Sequence, residues 1–422
     1  MVRIIKLHPD GLSAQAVGVR RERAWRIPMS LWLPLAIFAA TRAFGFVVLL
    51  IASKGQPALP LNFWLSFVQS PMPASPGYLG VITNWDGQWY KSIAIDGYQL
   101  ASGGRGDSNK SWAWAFLPVF PMTVRGVMWL TGMGFAEAAS VVNFIAGGAA
   151  MVVMYKLLEG PGGRFLAASG VALTCTFISA PILQAAYSES FALLMVCCAL
   201  LMIRLRRYGW AMVATVLLAL TRLITPGLTI VVAVHAVHRL RRRREDPLST
   251  PESAWLVALG LVSVGDVWLW SSFVTILYGS GTDASTRAQG IAERLSLGWY
   301  SDLHTLIGWS GTAFLVLASI TLVLFSISPR MTGSWGLEVR TWLSAYPIFI
   351  LAVTPVTSGL YRYLLLAFPL PLLIMSGSSA RRFSWSRLRI LIAVCLIGLF
   401  LQILWVKYAF VLDSTPEDVY VP

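Results

Sequence analysis

Charge is what this chain has least of, and its few charges are unequal in sign. Only 12% of the 422 residues are Asp, Glu, Lys or Arg, with 19 acids against 33 bases. A soluble domain carries about twice that charged fraction, which argues against an ordinary water-soluble fold. The four cysteines, Cys175, Cys197, Cys198 and Cys395, all lie inside apolar runs. There they read as small packing residues and not as a disulfide framework or a metal site. The four histidines, His8, His235, His238 and His304, are scattered. His235 and His238 are at helical spacing, but they abut arginines that would repel a divalent cation, so no metal site is expected. The basic N-terminus lacks a small-residue cleavage site, and no cleaved signal peptide is expected.

Apolar residues are abundant: 56% of the chain is hydrophobic, and the mean hydropathy is +0.67. Long apolar runs recur from about residue 29 to residue 412, so lipid is the solvent for most of the chain. The expected fold is an all-α polytopic membrane protein with one membrane-embedded unit at 28–412. A basic cytoplasmic tail at 1–27 precedes it and a short acidic tail at 413–422 follows. The net charge of +14 is not spread as a nucleic-acid footprint. It gathers between spans, at Arg204, Arg206 and Arg207, at Arg239 with Arg241 to Arg244, and at Arg381, Arg382, Arg387 and Arg389. That is the positive-inside pattern, which places these segments in the cytoplasm against anionic membrane lipids and leaves no role for nucleic acid.

Beyond the first span, 54–112 is a long loop that the charge rule puts outside. The further apolar stretches are 113–131, 137–158, 165–186, 189–203, 209–221, 223–238, 254–278, 303–328, 341–356, 359–377 and 390–412. The stretch 113–158 enters and leaves from one outer face or includes a partly inserted helix. With both arginine clusters held inside, Tyr187 to Ser190, Thr221-Arg222 and 358–362 become outer turns. Asp86, Glu189, Arg222 and Arg362 then share one face. Two acids and two guanidiniums gathered there suit a phosphate-bearing amphiphile.

In the loop, Trp85, Trp89 and Ile93 follow helical spacing, with Asn84 placed to cap and Gly97 to end the helix. The spacing predicts a short surface helix with its Trp face in the membrane interface. Asp86 and Tyr90 would share a neighbouring face toward a cavity. The plain alternative is that Asp86 only complements the helix dipole. Pro118 and Pro121 break regular helix where the chain re-enters lipid. Glu189 inside an apolar hairpin needs a partner or water; Arg42, Arg125, Arg222 and Arg362 are available, and any of them could equally hold a phosphodiester. Arg362, between Tyr361 and Tyr363, also reads as a snorkelling anchor.

Together these patches resemble the second GPI mannosyltransferase (PIG-V) family and its bacterial relatives. The match runs through Arg42; Trp85-Asp86, Trp89-Tyr90 and Ile93 to Tyr98; Ala115 to Pro121; Tyr187 to Ser190; Thr221-Arg222; and Arg362 to Pro369. Asn84 departs from the pattern, standing where an Arg before Trp-Asp is common. The resemblance implies a GT-C type glycosyltransferase bundle that transfers mannose, with inversion, from a polyprenyl-phosphate carrier to a lipid or glycan acceptor. It implies no cofactor and a site on the outer face of a bacterial plasma membrane. Asp86 would be the general base. Arg222 and Arg362 would stabilise the leaving phosphate, and Glu189 would orient Arg or sugar hydroxyls. Arg42, Trp85, Trp89, Tyr90 and Tyr187 would complete the substrate site. A transporter or flippase of a lipid-linked sugar is the alternative, although no internal repeat of the kind such proteins show is visible.

Overall fold

The computed structural model describes residues 28–60, 70–100, 112–288, 298–354, 356–357, 359–377 and 383–412. The two tails, Ser358, Arg381 and Arg382 lie outside the described residues. Among those described, all extended regular structure is helical, beside one isolated bridge between Leu59 and Met72. Among the described residues, five helices are long and apolar enough to cross a membrane: Met29–Ser53, Phe135–Cys175, Thr250–Tyr278, Trp309–Ile327 and Trp385–Phe410. With that composition, the chain is a multi-pass membrane protein.

The first helix, α1 (Met29–Ser53), leads to two short helices of the loop, α2 (Gly77–Val81) and α3 (Asp86–Asp96). Helix α4 (Val119–Thr131) and the start of α5 (Phe135–Cys175) follow. The expected separate stretches 137–158 and 165–186 are joined in α5, which bends at Gly163 (φ 80, ψ 174). Pro161 contributes no backbone donor, and Gly163 takes a conformation that a side chain would resist. Helix α4 packs back on the beginning of α5 through Phe120, Val124, Phe135 and Ala139, with Tyr90 and Ala94 of α3 in the same cluster. Residues 119–142 are therefore a hairpin that leaves and returns at the Asp86 end.

Three shorter helices fill the centre: α6 (Glu189–Arg204), α7 (Tyr208–Ala219) and α8 (Thr225–Arg241). Buried residues lie all round α6, from Ala192 to Ile203, which is why its apolar pattern has no polar face. Glu189 and Arg204 stand at its opposite ends, about 22 Å apart at 1.5 Å per residue. The same rise separates Thr225 from Arg239 and Arg241 on α8, so the molecule has an Asp86 end and an arginine-rich end. At the latter, Arg239 Nε donates to Glu252 at 2.9 Å and Nη1 to Asp246 at 2.7 Å. His235 Nδ1 lies 2.8 Å from Glu338 Oε1 there, which closes a polar network among helices.

The remaining spans are broken more often than their hydropathy suggests. Residues 250–278 divide into α9 (Thr250–Gly265) and α10 (Leu269–Tyr278) around a short 3₁₀ turn, Asp266–Trp268. After the short α11 (Asp283–Ala288), the stretch expected at 303–328 forms α12 (Gly298–Ile307) and α13 (Trp309–Ile327), hinged at Gly308 (φ 69). Helix α14 (Leu337–Val353) is followed by an irregular segment in place of the expected continuous run 359–377. Only Leu360–Leu364, here α15, and Pro369–Leu372 are α-helical within it. Pro369 opens the second of these, and neither Pro369 nor Pro371 supplies a backbone donor. Two carbonyls of this segment accept from side chains of α14: Trp342 Nε1 donates to Leu366 O at 2.9 Å and Tyr346 Oη to Tyr363 O at 2.9 Å. Buried irregular backbone at membrane depth needs such partners. The last long helix, α16 (Trp385–Trp405), ends in a π-turn, Val406–Phe410.

Candidate active site

Asp86 opens α3, and Gly97 (φ 78) closes it with its N–H on Ile93 O at 3.0 Å. The start differs from the capping scheme expected of Asn84. The residue before the helix is Trp85, with φ 53 and no side-chain cap. Asn84 is fully buried and donates from Nδ2 to Gln56 Oε1 at 2.9 Å and to Phe410 O at 3.2 Å. The Trp face is not an interfacial surface either. Trp85 and Ile93 are buried in protein, and Trp89, half-buried, stacks on Phe116 with ring centroids 5.9 Å apart. Long-range partners near residues 56 and 410 cover this face, and a local helical pattern carries no information about them.

Four charged groups from four distant parts of the chain meet at this end. Arg362 Nη1 donates to Asp86 Oδ2 at 2.6 Å. Its Nε lies 3.1 Å from Glu189 Oε1, within ionic contact although not aligned as a hydrogen bond. Arg222 Nη1 donates to that same Glu189 oxygen. The side chain of Glu189 is 1% exposed, that of Arg362 7%, Arg222 14% and Asp86 26%. The inner carboxylate therefore anchors both guanidiniums, while Asp86 is the member open to an incoming molecule. Burying such ions is tolerable only because each is paired. The Tyr363 ring lies 5.1 Å from both the Arg222 and the Arg362 guanidinium carbons, and the Tyr187 ring 5.3 Å from that of Arg362. Cation–π contacts of this length hold planar guanidiniums in orientation.

Tyr187 joins the two halves of the site. Its hydroxyl donates to Asn84 O at 3.0 Å and accepts from the Asp86 N–H at 3.2 Å. Burial, and then the Asp86 charge, push this phenol well above its ordinary range, so it remains a donor. Tyr90 is also buried; its hydroxyl donates to Ser188 Oγ at 3.0 Å, and burial again pushes its ionisation up. It braces the turn before Glu189 from beneath, where the expectation had it facing a cavity beside Asp86. Gly87 lets this turn approach α3: a Cβ there would stand 3.3 Å from Ile82 O and 3.6 Å from Ala186 O.

Arg42 is not brought into the cluster. It is buried in α1, with Nη1 donating to Ala180 O and Nη2 to Cys175 O at 3.0 Å. Cys175 is the last residue of α5 and Ala180 the first of a 3₁₀ turn, so Arg42 satisfies one open carbonyl at a helix C-terminus and ties it to the turn that follows. Two residues of this end were not singled out beforehand. Tyr363 was visible only as an aromatic flanking Arg362. Asp266 is a lone acid in an apolar run, now buried with Oδ1 accepting from Thr225 Oγ1 at 2.6 Å. Its position inside 254–278 was the signal that could have marked it.

No protein-family model and no curated protein matches the chain. Among solved structures it is similar to the Archaeoglobus fulgidus oligosaccharyltransferase in complex with zinc and sulfate, at 11% identity and a TM-score of 0.43. That alignment covers 90% of this chain and 54% of the other, so the chain spans about half the length of that enzyme. It is also similar to ArnT from Cupriavidus metallidurans in the apo state, at 14% identity and a TM-score of 0.37, covering 88% and 77% of the two chains. Likenesses of this size carry no functional conclusion.

Proposed function

We propose that the chain is an inverting, GT-C type glycosyltransferase that takes mannose from a polyprenyl-phosphate carrier and passes it to a lipid or glycan acceptor on the non-cytoplasmic face. The observation that carries this reading is the pairing of a solvent-accessible acid, Asp86, with Arg362 at 2.6 Å, on a buried base of Glu189 and Arg222. The mannose, and the kinship with the PIG-V family, rest on the ordered sequence patches from Arg42 to Pro369.

The chemistry needs two functions side by side. Asp86 takes the proton of the acceptor hydroxyl as its oxygen bonds to the anomeric carbon. The bond from that carbon to the carrier phosphate breaks on the opposite face, and its electron pair leaves on the phosphate. Arg362 and Arg222 meet that developing charge with guanidinium forks that suit phosphate geometry. Glu189 holds the two forks together and keeps them from repelling one another. Preorganised charge of this kind, excluded from bulk water, contributes strongly to transition-state stabilisation.

The test is sugar transfer from radiolabelled polyprenyl-phosphate mannose in membranes carrying wild type or Asp86→Asn. Label transferred by wild type and lost by an equally abundant variant supports the enzyme and its base. Equal transfer by both removes Asp86 from that role. Transfer by neither counts against the enzyme and favours a transporter of a lipid-linked sugar.

A further inference from the structure

The residue before Asp86 is held in a conformation that a bulky side chain avoids. Trp85 has φ 53 and ψ −121, and among the described residues only Ser75 and Arg206 join it as non-glycines with positive φ. Such a turn persists only where its surroundings over-determine it. Here the determinants come from two remote places. The Phe410 carbonyl accepts from Trp85 Nε1 at 3.0 Å and from Asn84 Nδ2 at 3.2 Å. That carbonyl is available because α16 has ended in the π-turn Val406–Phe410, whose last oxygens have no helical donor. From the other side, Tyr187 Oη donates to the Asn84 carbonyl at 3.0 Å and accepts from the Asp86 N–H at 3.2 Å. The same tyrosine ring lies 5.3 Å from the Arg362 guanidinium carbon. One side chain thus touches the backbone that carries the acid and the cation that pairs with it.

The geometry points to Trp85 and Tyr187 as positioning residues: with the carbonyl at the end of the last span, they clamp the strained turn that sets Asp86 against Arg362. This assignment rests on the function proposed above and replaces the substrate-contact role that the sequence suggested for both residues. It also gives the final span a part in the site, although it supplies none of its charged groups. The clamp holds the acid's backbone and leaves its side chain free to leave Arg362 for an acceptor proton. A loosened turn leaves donor binding intact and lowers the fraction of bound complexes in reacting geometry, an effect on turnover.

The experiment uses Trp85→Phe, which keeps a ring and removes the indole N–H, and Tyr187→Phe, which removes the hydroxyl alone. Initial rates of transfer are measured in membranes against the concentration of polyprenyl-phosphate mannose, and melting of each purified full-length protein is followed beside them. We expect each variant to lose about ten-fold or more in kcat, with donor KM within about two-fold and melting close to wild type. A raised KM at unchanged kcat would make the residues substrate contacts and overturn the clamp. So would a kcat within about two-fold of wild type, or a kcat loss that follows unfolding in both variants. If one variant fails to accumulate, the other decides, since each removes a different bond to the same turn. A wild type that transfers no sugar overturns the proposed function and this assignment with it; an active wild type beside fully active variants overturns the clamp alone.

Discussion

At Arg362 the proposed chemistry demands an exchange of partners. In the present arrangement Asp86 and Glu189 balance Arg222 and Arg362, so the cluster is neutral. A carrier phosphodiester that takes the place of Asp86 on Arg362 preserves that balance and frees the acid to act as a base. Removing the Asp86 charge should therefore favour the phosphate. Asp86→Asn is expected to bind farnesyl phosphate about five- to ten-fold more tightly, equivalent to about 1 kcal/mol, in titration calorimetry of detergent-solubilised protein. Unchanged or weaker binding would mean that the pair and the phosphate do not compete. Glu189 plays the opposite part. It is buried and, of the two acids, is the one that contacts both guanidiniums, and a buried charge left unpaired costs about 3–5 kcal/mol. Glu189→Gln should lower the unfolding temperature clearly, whereas Asp86→Asn, at a partly exposed position, should lower it less. The reverse order would show that Glu189 is not the anchor. These four residues were legible in sequence because isolated charges stand out in an apolar chain. Arg42 carried the same signal and proved to be capping carbonyls, since a sequence does not distinguish a buried arginine facing backbone from one facing a cavity.

Elements were legible where they are straight and apolar, as in α1 and α16, and misread where buried backbone breaks. The hydropathy of 359–377 reads as a span, yet residues 365–368 interrupt it between the helices Leu360–Leu364 and Pro369–Leu372, and two of its carbonyls are bonded by Trp342 and Tyr346 from α14. No local pattern predicts partners on another helix. Packing between elements can be tested at two glycines. At Gly147 of α5 a Cβ would stand 2.6 Å from Phe38 Cζ and 3.3 Å from Ser190 Oγ. Phe38 is buried on α1 and has no room to retreat, so Gly147→Ala is expected to destabilise by about 1–3 kcal/mol, the range for overpacking. At Gly126 of α4 nothing lies within 4 Å, and Ala there should stabilise by about 0.5–1 kcal/mol through helix propensity. Thermal unfolding of the two purified variants decides: if Gly147→Ala melts no lower than Gly126→Ala, the close approach of α1, α5 and α6 at this point is wrong.

Across the whole molecule, charge is sorted between two ends. Helices α6 and α8 carry Glu189 and Thr225 at one end and Arg204, Arg239 and Arg241 at the other. Arg206 and Arg239 are tied to Asp246, which lowers that carboxyl below its ordinary range, chiefly through the Arg206 hydrogen bond. Arg241, Arg243 and Arg244 line an open groove beyond them with Val237 and Leu240. The positive-inside rule assigns such an end to the cytoplasm; under the function proposed above, the Asp86 site would then open on the far leaflet, where a flipped polyprenyl carrier would present its sugar. The prediction is one of sidedness. Ala74, exposed in the loop between α1 and α2, and Glu245, exposed beyond the C-terminus of α8, are replaced singly by cysteine and treated with a membrane-impermeant maleimide. Cys175 and Cys197 are buried and Cys198 and Cys395 half-buried, so the unsubstituted protein supplies the background. Intact cells should label Ala74→Cys at once and Glu245→Cys only after permeabilisation. The opposite pattern would place the acid and its guanidiniums on the cytoplasmic leaflet, where the donor would have to be a carrier not yet flipped.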